Sequence, residues 1–251
     1  MIPSTPTSFS RRHLLKAAAF SAALLATTSL TRYSMAQDAE VGPFDFELFT
    51  ERMKAMATQP YAAVAPELPE VYASLDYDGY RMVQFNPQRA KWADAGLGYQ
   101  VHAFPMGWLF KEPVTVSEVV DGDAHSIGFD TADFRIFDEG IKARAVEEPF
   151  PGVAGMRVNY PLNAPDRSDE LVSFLGASYF RALGRDNIYG LSARGLLINS
   201  WRDGPEEFPR FSEFYLEKPK APTDPLTVYA ALESPSVTGA YRFVITPAAG
   251  A

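Results

Sequence analysis

With 251 residues, 47% of them hydrophobic and 22% charged, the chain carries enough apolar material for a substantial core, which excludes a wholly disordered chain. A net charge of −8 sets it against the phosphate backbone of nucleic acid, and the absence of cysteine removes disulfides, thiolate metal sites and cysteine nucleophiles. Aromatic residues at 13%, together with 20 prolines and 17 glycines, favour many short segments joined by turns.

The chain opens with Ser10-Arg11-Arg12-His13-Leu14-Leu15-Lys16, followed by an alanine-rich apolar run over 17–26 that is too short to span a membrane, and then Ser34-Met35-Ala36. Paired arginines, a leucine shortly after them, a lysine closing the charged region and small residues two apart are the marks of a twin-arginine export signal with a cleavage site. Residues 1–36 therefore read as an address to the periplasm and 37–251 as the exported part. The leader contains four of the basic residues and no acid, so its removal leaves 19 basic residues against 31 acidic ones. The mature protein is correspondingly more acidic.

Beyond the leader, Phe46, Phe49, Met53 and Met56 recur at helical spacing, with Asp45 placed to cap the helix and Glu47 in its first turn. A second short helical turn fits "ELPEVYASLDYDGY", with Pro69 tolerated at its start. From about Tyr80 the pattern changes. The segments "YRMVQFNP", "GYQVHAFPMGWLF", "VTVSEVV", "DFRIF", "GMRVNYPL", "GLLINSW", "FSEFYLE", "LTVYAAL" and "AYRFVIT" have strand lengths and strand compositions. Leu226, Val228, Ala230 and Leu232 alternate with Thr227, Tyr229 and Ala231, as in a strand with two distinct faces. Asp121-Gly122 marks a hairpin turn. Within this stretch only "DELVSFLGASYFRAL" offers a helical pattern, weakened by Gly176 and its aromatic residues. These elements add up to a mainly β protein, an antiparallel sandwich with a short N-terminal helical cap.

Few residues suggest bond-making chemistry. Outside the leader only His102 and His125 are available as imidazole ligands, in separate segments, so no metal site and no cofactor are expected. "GASYF" and "GLSAR" each carry half of a nucleophile elbow, and phosphate-cradling glycine motifs are missing. Asp166, Asp169, Glu170, Glu206 and Glu207 include no pair whose spacing marks an acid and a base, and surface charge is their simpler role. The segment "SYFRALGRDNIYGLSARG" is more informative. Tyrosine rings stack on the apolar face of a sugar, while their hydroxyls and neighbouring guanidinium groups bond its hydroxyls, so Tyr179, Arg181, Tyr189 and Arg194 suit a neutral polysaccharide. An equally available role has Tyr179 and Phe180 in the core, with Arg181 and Arg194 paired to acids such as Asp169 or Glu170.

The stretches Val172 to Ala182 and Tyr189 to Ile198, followed in order by "EEFPRFSEFYLEKP" and "LTVYAALESPSVTGAYRFVI", closely resemble the periplasmic glucan biosynthesis family, proteins G and D (MdoG/OpgG and OpgD), with the twin-arginine leader pointing to the D type. The resemblance implies a part in making osmoregulated periplasmic glucans with a β-1,2-linked backbone. It further implies a large galactose-mutarotase-like sandwich followed by an immunoglobulin-like domain, of which this chain is expected to hold about the N-terminal half. It also implies likeness to inverting β-1,2-glucan hydrolases, but the aspartate segments that would do that work have no counterpart here, so no catalytic residue carries over. The implied ligand is β-glucan, and an inner-membrane glucan synthase is a further partner left open.

Overall fold

The computed structural model describes residues 42–64, 66–201 and 204–247; the twin-arginine segment lies outside them. The chain begins with β1 (Gly42–Pro43) and enters helix α1 (Phe46–Met56) where expected. Asp45 is extended, and its Oδ1 accepts the Leu48 N–H at 2.8 Å, which satisfies one of the free donors of the first turn. Two short helices follow, α2 (Glu70–Ala73), entered from Pro69, and α3 (Tyr77–Arg81), capped by Asp76. The next elements are β2 (Val83–Phe85), β3 (Gln100–Pro105), β4 (Thr115–Val120), β5 (Asp123–Ser126), β6 (Phe134–Ile136) and helix α4 (Glu139–Glu147). The chain then runs through β7 (Val153–Ala164), β8 (Arg167–Leu175), β9 (Tyr179–Ala182), β10 (Leu191–Arg194), β11 (Arg210–Glu217), β12 (Leu226–Ser234) and β13 (Val237–Ile245).

Among the described residues the strands form a six-stranded sheet in the order β1-β5-β4-β11-β12-β13, a five-stranded sheet in the order β10-β9-β8-β7-β3, and a two-stranded β2-β6 ribbon. Phe174 on β8 joins the two large sheets: its ring lies 5.1 Å from Phe214, 5.2 Å from Phe243, and 6.0 Å from both Phe180 and Phe211. Val101, Met156, Val158 and Val172 from one sheet and Leu216, Leu226, Val228 and Leu232 from the other belong to the same buried cluster. The predicted alternation on β12 is therefore real, with Leu226, Val228, Ala230 and Leu232 facing this core. Its other face meets α1, where Phe49, Met53 and Ala231 form a second small core beside Tyr215 and Tyr229. Helix α1 thus covers the outer side of the six-stranded sheet, and a mainly β sandwich with a helical cap is the observed architecture.

Several local expectations change. The segment "DELVSFLGASYFRAL" is no helix: it supplies most of β8 and then β9, which fold on each other through Gly176 and Ala177, both at positive φ (74° and 43°). A side chain at Gly176 would sit 2.9 Å from the Phe110 ring, so glycine is required for space as well as for backbone freedom. The strand expected at "GLLINSW" is a loop with only an isolated Ile198–Glu207 bridge, because Asn199 and Trp201 adopt left-handed backbone (φ 58° and 67°) that a strand cannot accommodate. Helix α4 was not expected. Asp138 caps it by accepting the Ile141 N–H at 2.8 Å, and Ile141 and Ala145, four residues apart, give it one buried face. Strand β3 ends at Pro105, and Gly107 to Phe110 closes a tight turn through mutual 2.8 Å backbone bonds. The sheets are not antiparallel throughout, since β4 and β11 pair in parallel, Thr115 opposite Glu213. The Asp121-Gly122 turn joins β4 to β5 as predicted, with both residues at positive φ (52° and 89°).

Candidate functional site

Strand alternation sends Phe180 inward onto Phe243, at 5.2 Å between ring centres, and turns Tyr179 and Arg181 to the outer face of the five-stranded sheet. The β9–β10 register sets Arg194 opposite Tyr179 and Ser192 opposite Arg181. Carried across the sheet, the same row runs through Ser173 on β8 and Arg157 on β7 to His102 on β3. The outer face is thus polar along a line crossing all five strands, whereas the inner face is aliphatic and aromatic.

The four residues singled out from the sequence come together here as two cation–ring pairs. The Arg181 guanidinium carbon lies 5.0 Å from the centre of the Tyr189 ring, and its Nη1 donates to the Tyr189 hydroxyl at 3.0 Å. The Arg194 guanidinium carbon lies near two rings, 5.2 Å from the centre of Tyr179 and 5.5 Å from that of Phe208. Tyr179 is 40% exposed and Tyr189 73%. Both arginines also hold acids, so part of the alternative role is realised. Arg181 Nε donates to Glu170 at 3.0 Å, and Arg194 Nη1 donates to Glu206 at 2.6 Å. Asp169 goes elsewhere, accepting from Arg167 Nε and the Asn163 N–H, both at 2.9 Å. The strip is a surface edge, not an enclosed pocket. A cleft of about 390 Å³, walled by Trp108, Phe110, Phe174 and Phe211, borders it at the Gly176–Ala177 turn.

Glu170 is the hub of this face. It accepts from Arg181, from Ser173 Oγ at 2.8 Å and from Arg157 Nη1 at 3.5 Å. Burial pushes its carboxyl upward, but the hydrogen bonds from Arg181 and Ser173 and the charges of Arg181 and Arg157 outweigh that and hold it below the usual carboxylate range. Arg157 and Ser173 were not picked out from the sequence, and His102 was weighed there only as a possible metal ligand. Their signal is the outward-facing position that each holds on β3, β7 or β8, and it becomes visible only once the register is known.

His102 is 2% exposed, stacked on Phe85 at 4.7 Å, with Nδ1 3.3 Å from Arg157 Nη2. Burial first and the Arg157 charge second push its pKa down to about 4, against a weaker upward pull from Glu170. A histidine depressed from 6.5 binds its proton more readily when unfolded, so the neutral ring stabilises the fold above pH 6.5 and that contribution fades as pH falls towards 4. His102→Asn should remove roughly 3 kcal/mol of acid sensitivity across this window. Urea unfolding at pH 7 and pH 4.5 checks this, and an unchanged difference between the two pH values in the variant would refute it.

Among the described residues no cluster of three or more potential ligands could hold a metal ion, and no helix is long and apolar enough to cross a membrane. The fold and this face define a β-sandwich protein with an exposed aromatic and arginine strip on its second sheet. Residues 44–251 match the family described as periplasmic glucan biosynthesis protein, MdoG, and the chain belongs to that family. It is 47% identical to the glucans biosynthesis protein G of Cereibacter sphaeroides over 98% of its own length and 48% of the relative's. Protein G of Rhodopseudomonas palustris is 43% identical over 81% of this chain and 40% of its own length. Protein D of Xylella fastidiosa is 42% identical over 82% of this chain and 37% of its own. The chain therefore spans less than half the length of these curated relatives.

Proposed function

We propose that this chain is a carbohydrate-binding part of periplasmic glucan biosynthesis, exported by the twin-arginine route and holding a neutral β-1,2-glucan along the strip of Tyr179, Arg181, Tyr189 and Arg194. The observation that carries the proposal is the double pairing of an exposed tyrosine with a fixed guanidinium. Each ring offers an apolar face to the C–H face of a glucose unit, with donors at its rim for the hydroxyls. Because Glu170 and Glu206 balance Arg181 and Arg194, the strip suits an uncharged polymer better than an anionic one. The names of the relatives, glucans biosynthesis proteins G and D, support a glucan as the polymer. Glu170, held ionised between arginines, is an anchor and not a proton donor near neutral pH, so retention without bond cleavage is the activity proposed for this face. A strip of this kind serves a synthase at the outer side of the inner membrane by holding the nascent chain.

The test is retention of the purified protein on immobilised linear β-1,2-glucan. Tyr189→Ala and Arg181→Ala should each weaken retention about tenfold, and the exposed Tyr189 should leave stability within about 0.5 kcal/mol of wild type. A wild-type protein that passes through unretained would overturn the proposal. A large loss of stability in Arg181→Ala would return that residue to a purely structural pair, and release of shorter oligosaccharides from the glucan would favour trimming over holding.

A further inference from the structure

Trp201 is fully exposed, at 104% of its reference area, and its backbone is left-handed at φ 67°. Both features run against stability: the indole is left out of the core, and a bulky residue occupies a conformation that glycine adopts without strain. Among the described residues nothing in the packing accounts for a tryptophan there. The loop carrying it is nonetheless fastened to the strip. Ser200 Oγ donates to Glu206 Oε1 at 3.3 Å, and the same oxygen accepts from Arg194, whose guanidinium lies against Tyr179 and Phe208. The return of the loop is pinned as well, since Glu207 donates its N–H to the Ile198 carbonyl at 3.2 Å and accepts from Ser236 Oγ at 2.9 Å.

Arg194 is in consequence held by Glu206 and set beside the rings of Tyr179 and Phe208. Its part is to position Tyr179, Phe208 and the Trp201 loop, leaving the rings as the free surface. We propose that Trp201 is a further sugar-stacking platform of this strip, taking a glucose unit beyond those over Tyr179 and Tyr189. The inference rests on the glucan proposal above and extends it: a stretch of several units, and not a single sugar or a chain end, is the ligand. The neutralised arginines behind the rings argue for an uncharged polysaccharide as occupant over an acidic one.

Trp201 is also its own reporter. Of the three tryptophans, Trp92 is buried and bonded through Nε1 to Glu118, and Trp108 is packed among Tyr77, Tyr80 and Phe110. Quenching by acrylamide therefore falls mainly on Trp201. Titration of the whole protein with linear β-1,2-glucan should shift the emission to the blue and protect it from acrylamide. Trp201→Gly should abolish that protection and weaken glucan retention about five- to tenfold, with a thermal midpoint equal to or above wild type because glycine relieves the backbone. Trp201→Phe should retain part of the binding. Retention of wild-type protein with no change in quenching, or of Trp201→Gly as strongly as wild type, would overturn the platform while leaving the strip intact. A marked fall in the midpoint of Trp201→Gly would make Trp201 structural and overturn it too. Failure of wild-type protein to bind glucan at all would remove strip and platform together.

Discussion

Replacing Phe174 by alanine should lower the free energy of unfolding by about 3–5 kcal/mol. The ring is 1% exposed and touches aromatic partners on both sheets, Phe180 on its own and Phe211, Phe214 and Phe243 on the other. Deleting it removes buried area and opens a void that two hydrogen-bonded sheets cannot close without shifting register. Phe174→Leu, which keeps most of the volume, should cost only about 1–1.5 kcal/mol. Denaturant titration of the three proteins measures both values. An alanine variant within about 1 kcal/mol of wild type would mean that the sheets do not share this core.

The second large effect is expected at Glu170. Its alanine variant leaves Arg181 and Arg157 facing each other's charge on a half-buried surface, where wild type balances them with one carboxylate. Loss of a partner from a deeply buried pair costs about 3–5 kcal/mol, but the guanidinium groups here keep about a third of their area in water, so about 2 kcal/mol is expected. The binding consequence should be larger in proportion, because Arg181 fixes Tyr189 only while Glu170 fixes Arg181. Glucan retention should fall more than tenfold, and retention on a sulfated polysaccharide should rise. Glu170→Gln can still accept hydrogen bonds from Ser173 and Arg181, so it should recover part of the glucan binding without the charge balance. If the alanine variant holds neutral glucan as wild type does, Glu170 has no positioning role at this strip.

How much of this was legible beforehand depended on whether the determinant was local. The cap at Asp45, the turn at Asp121-Gly122 and the two-faced strand from Leu226 to Ser234 each rest on residues within a few positions of one another, and each appears as read. The Leu-Leu-Ile run at 196–198 looked like a strand for the same local reason. Backbone conformation at Asn199 and Trp201, which composition does not announce, made it a loop. Helix α4 was hidden because Gly140 and its many charges leave only Ile141 and Ala145 to mark a face. At the site, Tyr179 and Arg181 fell in the one stretch read as a helical pattern, so their place on one side of a sheet follows only from the strand observed there. The hub at Glu170 and the row from His102 to Ser192 depend on register between strands, which no single segment encodes.

The parallel contact of β4 with β11 has a kinetic consequence. These neighbours in one sheet are separated in the chain by four of the five strands of the other sheet, so the gap between β4 and the β11–β12–β13 meander closes only after a loop of roughly 100 residues has been gathered in. Neither half of the sandwich can mature alone. A ribosome-bound intermediate halted before Arg210 would display the bare backbone edge of β4, and its first defence against aggregation is the arrival of Phe211, Phe214 and Leu216 on the strand that covers it.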